Sequence, residues 1–316
     1  MTDVPRLILY RVVSAIALLL IVTGVVFLLS SLIPGDPARV ILGENATPAA
    51  VEALREQLGL NRPQIVRYID WLSHALRGDL GQSIYSGVDV TRILNSRIPV
   101  SASLVILSTI VISVVGITLG MVSALRGGWL GRALDAVSLL GLALPGFLVA
   151  IILVATFAVT LSLFPATGYV PLDKSPSGWL QSLVLPVVTL SLPGATIVAK
   201  QMRDSAMDVL DQPYVRVLRA SGISETSVTL RHVLRNASIP TVTMIGLGAI
   251  ATLTGSVFIE NVFVLPGLGQ VAVSSTLTKD LPVLLGASLY FTIFVIIINL
   301  LVDFTYGLLN PKLRVR

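Results

Sequence analysis

The lysines of this chain are the residues that could hold the phosphates of a nucleotide. There are four: Lys174, Lys200, Lys279 and Lys312. A phosphate-binding loop of the G-x-x-x-x-G-K-[ST] type needs a glycine directly before its lysine, because backbone amides and the ammonium group cradle the phosphates together. None of the four lysines follows a glycine. The sequence therefore predicts that this chain binds no ATP itself.

Sulfur and imidazole chemistry is equally sparse. The chain has no cysteine, which excludes disulfides, thiol catalysis and Cys-ligated metal sites. Its two histidines, His74 and His232, lie far apart in the sequence, in loops that we expect on opposite sides of a membrane. We therefore predict no catalytic residue, no metal site and no cofactor site in this chain.

Three acidic residues stand close to long apolar stretches, where an ionisable group is costly and often functional. They are Asp135, Glu260 and Asp303. Each lies near the end of an apolar stretch rather than at its middle. This position favours structural hydrogen bonding or pairing over a proton relay.

The elements around these residues are long uncharged windows. Apolar residues make up 54% of the 316 residues and charged residues only 12%, about half the charged fraction of a soluble domain. Each window holds at least the roughly 20 residues that a helix needs to cross a bilayer, and lipid requires internally paired backbone. The windows are Val12–Gly35, Ile98–Leu125, Ala136–Leu172, Ser175–Ala199, Asn236–Ile259 and Leu281–Val302. We predict an all-α integral membrane protein with six transmembrane helices.

Two uncharged segments need a separate interpretation. The third window contains Pro145 and Gly146, so we expect one helix that is interrupted there and a loop from Pro165. The segment Asn261–Thr278 is also uncharged, but it contains prolines, glycines and a Ser-Ser-Thr run. We expect it to be an outward-side loop, with a re-entrant course left open, and not a seventh span.

Basic residues set the orientation, since short cytoplasmic loops are enriched in Lys and Arg. With the amino terminus inside, the short outer loops hold only Lys174 and Lys279. The inner segments hold Arg6, Arg11, Arg126, Arg132, Lys200, Arg203, Arg216, Arg219, Arg231, Arg235, Lys312, Arg314 and Arg316. Both termini are therefore predicted to be cytoplasmic.

The long outer segment carries helix signals of its own. Thr47-Pro48 is typical of a helix start and Gly59 of a stop. A second amphipathic stretch follows Pro63 and ends at Gly78, with Ile65, Ile69, Leu72 and Leu76 on one face. We expect a helical cap on the membrane surface. It either packs only against the bundle or forms a docking surface for a partner.

The inner segment 200–238, which we call the basic loop, is the most informative part. Pro213 breaks the preceding helix, and Tyr214–Ala220 is predicted to form a short amphipathic helix that ends at Gly222. Ser224 is suited to cap the next helix, which carries Arg231 and His232. Such a helix, exposed between two spans, could transmit force from a soluble partner. The alternative is an interfacial loop whose basic residues face lipid head groups.

At these residues the chain resembles a known family. Ala220-Ser221-Gly222 and Arg231-His232 followed by Arg235-Asn236 are similar to the coupling motif of binding-protein-dependent ABC importer permeases. The peptide branch is favoured because Arg216-Val217-Leu218 stands where the general motif has Glu-Ala-Ala. The resemblance extends along the chain through Pro34-Gly35-Asp36-Pro37, Arg77-Gly78-Asp79-Leu80-Gly81, Arg97-Ile98-Pro99, Glu260-Asn261-Val262-Phe263, Pro266-Gly267-Leu268-Gly269 and Asn310-Pro311-Lys312. In detail it resembles the B-type subunit of dipeptide and oligopeptide importers.

The resemblance implies a type I ABC importer fold and a division of the chain. Residues 1–34 would hold the amino terminus and first span, residues 35–97 the extracytoplasmic helices, and residues 98–316 the permease core. The chain would form half of a peptide pathway in the bacterial cytoplasmic membrane. The residues implied to contact ATPase subunits are Tyr214, Arg216, Leu218, Arg219, Ala220, Ser221, Gly222, Ser224 and Arg231.

The resemblance also implies partners. They are a second, C-type permease subunit, two ATP-binding subunits that hold ATP and Mg²⁺, an extracytoplasmic substrate-binding protein and the lipid bilayer, without nucleic acid. Relatives in the same branch handle haem, nickel chelates, glutathione and oligosaccharides, so these substrates stay open. A stand-alone secondary transporter is the other function class. It would need inverted repeats or charged groups at the middle of its spans, and the sequence has neither.

Overall fold

The chain is built from α-helices. The computed structural model describes residues 3–33, 35–43, 45–129, 131–133, 136 and 145–309. Within them, one isolated bridge between Gln82 and Asp89 is the only strand-like pairing. The helices are α1 (Asp3–Leu32), α2 (Pro37–Leu42), α3 (Pro48–Gln57), α4 (Gln64–Ala75), α5 (Val90–Asn95), α6 (Ile98–Arg126), α7 (Gly146–Thr160), α8 (Pro176–Leu210), α9 (Pro213–Ala220), α10 (Glu225–Val262), α11 (Leu268–Thr278) and α12 (Leu281–Leu309).

Five helices in the described part of the chain are long and apolar enough to cross a membrane. They are Leu9–Leu32, Val90–Arg126, Pro176–Leu210, Glu225–Val262 and Leu281–Leu308. The remaining predicted span is represented by α7, an apolar helix that begins directly after Pro145. Residues 137–144 of that span lie outside the described residues, as does the basic carboxy-terminal segment. The all-helical membrane fold is confirmed, whereas the count of six spans and the orientation of the termini stay predictions.

The chain divides into two compact units, Met1–Ser101 with Pro266–Ile296, and Ala102–Leu265 with Ile297–Arg316. The helices α6 and α12 contribute to both units. In the first unit, a buried cluster joins the residues before α6 to α11 and the start of α12. It consists of Leu80, Val90, Leu94, Leu268, Val271, Val283 and Ala287. Buried Asp280 secures the same region, since it accepts hydrogen bonds from the Ser83 hydroxyl and from the amide of Ile84 (3.1 Å).

The two helices predicted in the outer segment are present. The Thr47 side chain caps α3 by accepting a hydrogen bond from the Ala50 amide at 3.3 Å. Gly59 ends that region with a φ of +64°, a conformation that glycine adopts without steric cost. α4 follows Pro63, as its sequence pattern predicts.

In the second unit, α6 and α8 approach each other through glycines. A Cβ atom added to Gly120 would lie 2.5 Å from the Ala199 carbonyl oxygen, and one added to Gly116 would lie 2.6 Å from Val198 Cγ1. Two small residues spaced four apart allow helix backbones to pack this closely inside a membrane. α8 also contains Pro186 and Pro193, which membrane helices tolerate because neighbouring groups satisfy the freed backbone.

One element contradicts its prediction. Asn261–Thr278, expected to be a loop, contains the last turn of α10 and the eleven-residue helix α11. Pro266 and Gly267 precede α11 rather than interrupt it. The hydroxyl of Thr276 bonds to the Ala272 carbonyl at 2.8 Å, and that of Thr278 to the Ser274 carbonyl at 3.0 Å. Hydroxyl groups that bond to carbonyls of the preceding turn are compatible with a helix, so the expectation that this segment contains no helix was wrong. The segment is not among the five helices long enough to cross a membrane, and its position on the outward side stays a prediction.

The acidic residues near the apolar windows differ in their surroundings. Glu260 is fully buried in α10 and Asp303 is half-buried in α12. Asp135 lies outside the described residues. The predicted structural role of all three stays a prediction.

Candidate coupling site in the basic loop

The basic loop begins as a direct continuation of α8. That helix runs to Leu210 and is followed by Asp211 at its C-cap. Gln212 then adopts an extended conformation and Pro213 takes the first position of α9. Proline suits this position because its fixed φ is helical and its missing N–H has no partner in the first turn. The predicted break and helix start are therefore both present.

The helix α9 has one buried side. Val215 is fully buried and Leu218 is half-buried. Val215 belongs to a cluster that the second unit builds from α6, α8 and α10, with Leu218 packed against it. The cluster consists of Met121, Met202, Ala206, Val215, Val228, Val233 and Ala237. α9 is thus fixed to three long helices at once, and a displacement of α9 would act on all three.

The opposite side of α9 is exposed and basic. Arg216 and Arg219 are exposed, and Val217 and Ala220 lie exposed beside them. Val217 has 63% of its surface accessible, and Leu230 of α10 has 58%. A mixture of exposed cations and aliphatic side chains is suited to a protein surface that carries acidic and apolar groups.

The end of α9 follows the predicted pattern. Gly222 has a φ of +78°, and its amide donates to the Arg219 carbonyl at 3.0 Å. Ser224 then caps α10, because its hydroxyl accepts a hydrogen bond from the Ser227 amide at 3.4 Å. Glycine is favoured at such a left-handed position because it has no Cβ.

Two side-chain contacts attach α9 to α10. Arg219 forms a forked ion pair with Glu225, with Nε–Oε1 at 2.8 Å and a second hydrogen bond at 3.3 Å. At the other end of the helix, the Asn236 amide donates to the Tyr214 hydroxyl at 3.0 Å. Glu225 and Asn236 were not among the predicted site residues. The available signals were the acidic residue six positions after Arg219, across a glycine turn, and the Arg235-Asn236 pair in the coupling motif.

The predicted site residues fall into two places. Tyr214, Arg216, Leu218, Arg219 and Ala220 lie on α9, and Ser221, Gly222 and Ser224 form its turn into α10. Arg231 lies further along, in the π-helical stretch Val228–Val233 of α10, and is exposed. Leu218 points toward the cluster, so it supports α9 rather than adding to its exposed face.

The site has the features of a contact surface. In the part of the chain that the structure describes, no three His, Cys, Asp or Glu side chains come together to hold a metal ion. The groups that α9 exposes are guanidinium, aliphatic and, at Tyr214, phenolic. They can bind a partner by charge and apolar contact.

Comparison with known proteins covers nearly the whole sequence. Residues 116–315 match the family described as the inner membrane component of binding-protein-dependent transport systems. Residues 4–105 match the amino-terminal region of the membrane component of such systems. The two matches together include α1 to α12 with a short gap inside α6.

Individual relatives are similar over their full length. A putative peptide transport system permease protein of Brucella abortus is 41% identical over 309 residues, which are 98% of each chain. A probable peptide ABC transporter permease protein of Sinorhizobium fredii is 38% identical over 308 residues, 97% of this chain and 98% of the relative. A glutathione transport system permease protein of Salmonella choleraesuis is 38% identical over the same shares.

Proposed function

Because the chain belongs to the family of inner membrane components of binding-protein-dependent transport systems, we propose that it is a permease subunit of an ATP-driven peptide importer. Family membership and the apolar helices make it a multi-pass protein of the bacterial inner membrane. The names of the Brucella and Sinorhizobium relatives support peptides as the substrate class. The glutathione relative supports the same class, since glutathione is itself a tripeptide.

The importer requires further subunits. A second permease subunit completes the pathway, two ATP-binding subunits hold ATP and Mg²⁺, and an extracytoplasmic binding protein delivers the peptide. The absence of a phosphate-binding loop from the sequence supports the assignment of ATP to other chains. This chain then carries out no covalent chemistry.

The observation that carries the proposal is that α9 exposes a basic face while its other side is held by the buried cluster. Val215 anchors the helix to the buried cluster, and the Arg219–Glu225 and Tyr214–Asn236 contacts attach its two ends to α10. When ATP-binding subunits close, they would draw α9 with them. Because α9 moves as part of the cluster, α6, α8 and α10 would follow, and the bundle would change between its two arrangements.

The test separates the partner contact of Arg219 from its ion pair with Glu225. The complete importer with its binding protein is reconstituted in liposomes, and uptake of radiolabelled dialanine is measured with ATP inside. Arg219→Glu should lower uptake at least about tenfold, as loss of a few kcal/mol at a charged contact implies. Glu225→Gln, which removes the ion pair but keeps the cation, should retain most uptake, since exposed pairs contribute about 0–1 kcal/mol.

The double variant Arg219→Glu, Glu225→Arg decides the interpretation. It restores an ion pair of reversed polarity within the chain and leaves the wrong charge for the partner, so uptake should remain low. Recovery to the wild-type rate would mean that Arg219 acts only through Glu225. The proposed contact with the ATPase subunits would then be wrong.

A further inference from the structure

A polar cavity opens within the first unit. Its volume is about 270 Å³, enough for several water molecules or for a carboxylate and the residue that bears it. Its walls come from the end of α1, from α3 and α4, and from the end of α11. Ser30, Asn61, Gln64 and Thr276 give these walls hydrogen-bonding groups.

The charges that line the cavity do not cancel. Arg55, Arg67 and Lys279 contribute three cations, and Asp36 is the one carboxylate among the described residues that line it. Asp36 is already neutralised, because Arg55 Nε lies 2.9 Å from its Oδ2 atom. Arg67 and Lys279 are the other two cations on the wall, so the described lining residues, with three cations and one carboxylate, carry a formal net charge of +2.

Arg67 is the distinctive member of this group. It is half-buried, and among the described residues no carboxylate lies within ion-pair distance of its guanidinium. Burial lowers the pKa of Arg67 from its usual value, which reports a cation that has lost part of its water. An anion inside the cavity would supply the missing interaction.

Lys279 reaches the same cavity through an unusual backbone. It follows the last residue of α11 with a φ of +57°, in the left-handed region that glycine normally occupies. From there its ammonium group donates to the Ile33 carbonyl at 3.4 Å, beside Gly35. The chain thus holds a cation at a position where a glycine would be conformationally easier.

We propose that this cavity binds the carboxylate of a transported peptide, with Arg67 and Lys279 as the groups that receive it. The identity of the ligand rests on the proposed peptide import. A free carboxy terminus is the one anionic group that all unmodified peptides share, so a site for it would serve many sequences. Arg67 can hold it by two parallel hydrogen bonds, which a lysine cannot do.

Thiol labelling can test this without ATP, uptake or knowledge of the orientation. The chain is naturally free of cysteine, so Ser30→Cys introduces a single thiol into the cavity wall. In nanodiscs, its modification rate is measured with an anionic sulfonatoethyl and a cationic trimethylammonioethyl methanethiosulfonate. A surplus positive potential of a few kT should favour the anionic reagent about tenfold. Thr276→Cys, also on the wall, serves if Ser30→Cys does not fold.

Three comparisons make the result specific. Arg67→Gln should remove most of the preference, and Arg67→Lys should retain it. Ser86→Cys, an exposed position outside the cavity, should show no change between the Arg67 variants. Trialanine should slow labelling of the cavity thiol, whereas trialanine amide, which has the same amino group and no carboxylate, should not.

Three results would overturn the proposal. Equal rates for both reagents would show that the cavity is not electropositive. A preference that Arg67→Gln leaves intact would show that Arg67 is not its source. A preference without protection by millimolar trialanine, but with protection by inorganic phosphate, would assign the cavity to another anion. Failure of the proposed function is distinguishable, because it would appear as absent peptide uptake by the reconstituted importer whatever the labelling rates are.

Discussion

The helices α4 and α9 are both short and amphipathic, and each has a proline at its start, Pro63 at the N-cap of α4 and Pro213 at the first position of α9. They nevertheless expose different kinds of side chain. α4 turns Tyr68 and Trp71 inward and leaves Ile65 and Ile69 exposed. The Tyr68 ring lies 5.3 Å from that of Phe27 and 6.3 Å from that of Trp71. α9 instead buries the aliphatic Val215 and exposes its arginines.

The exposed faces of α4 and α9 suit different kinds of partner. Exposed aliphatic groups, which reach 66% at Ile65 and 81% at Leu76, suit a membrane surface or an apolar partner. Exposed guanidinium groups suit an aqueous protein partner with acidic groups. In a membrane protein the apolar stripe of a helix therefore does not identify its inward side, and the contacts made by the other side must be known.

The largest effect is expected at the close contact between α6 and α8, two of the helices that hold α9. Gly120→Leu would drive a side chain into the Ala199 carbonyl and into Met202 of the buried cluster. Such overpacking costs at least about 1–3 kcal/mol, and here the backbone itself must move. We expect loss of the monodisperse peak in size-exclusion chromatography.

Gly248→Ala is the matched control for this variant. Its Cβ would meet only Ile112 Cγ2, at 4.0 Å, so the chromatographic peak should persist. An unaltered peak for Gly120→Leu would contradict the close packing of α6 on α8.

The next effect tests the inward side of α4. Tyr68→Ala removes the ring contacts and the hydroxyl that bonds to Thr23 at 2.9 Å and to the Leu20 carbonyl at 3.2 Å. Loss of a fully buried aromatic ring costs about 3–5 kcal/mol, and Tyr68→Ala should cost less because Tyr68 is only half-buried. Tyr68→Phe should cost about 1 kcal/mol for the hydroxyl alone. Thermal unfolding in detergent should therefore rank wild type, Tyr68→Phe and Tyr68→Ala in decreasing order of stability. Equal midpoints for all three would show that the aromatic side of α4 does not stabilise the unit.

A moderate effect is expected at the turn after α9. A Cβ atom added to Gly222 would meet no atom within 4 Å, so the main cost of Gly222→Val is expected from the positive φ, of order 1–3 kcal/mol. We expect normal amounts of inserted protein and strongly reduced ATP-dependent uptake, because the turn sets the direction of α9. The control Gly222→Asn should retain more uptake, since asparagine tolerates this conformation better. Full uptake by Gly222→Val would show that the conformation of this turn is not needed for coupling.

The smallest effect belongs to the exposed side of α4. Ile69→Ser removes an aliphatic group that is 57% exposed within the chain, and exposed positions usually change stability by less than about 0.5 kcal/mol. The unfolding midpoint in detergent should not move. A large decrease would mean that Ile69 is packed inside the protein, and the contrast with α9 would disappear.

The sequence predicted most of the elements because charge depletion and capping residues act locally. The apolar windows, the Thr47 cap, the Pro213 start and the Gly222 turn needed no knowledge of distant contacts. α11 was missed because Pro266 and Gly267 were interpreted as helix breakers, although they only precede the helix. The spacing of Gly116 and Gly120 in the sequence indicates a close helix contact, but the sequence does not show that the partner helix is α8.

Candidate site residues were predictable only where one segment contains them all. Tyr214–Ser224 could be read directly, whereas the bond between Tyr214 and Asn236 joins residues 22 positions apart. The cavity of the first unit is harder still to predict from the sequence. Arg67 and Lys279 are separated by most of the chain and meet only after folding.

One measurement tests the central claim most directly. A photoreactive benzoylphenylalanine replaces Val217, an aliphatic residue of α9 that is 63% exposed, and the importer is irradiated in native membranes with and without ATP. We predict a crosslink to the ATP-binding subunit whose yield changes with ATP, and none to that subunit from the same label at Ile69. Crosslinks from position 217 to lipid alone, in an importer that still transports peptide, would contradict the role of α9 in coupling.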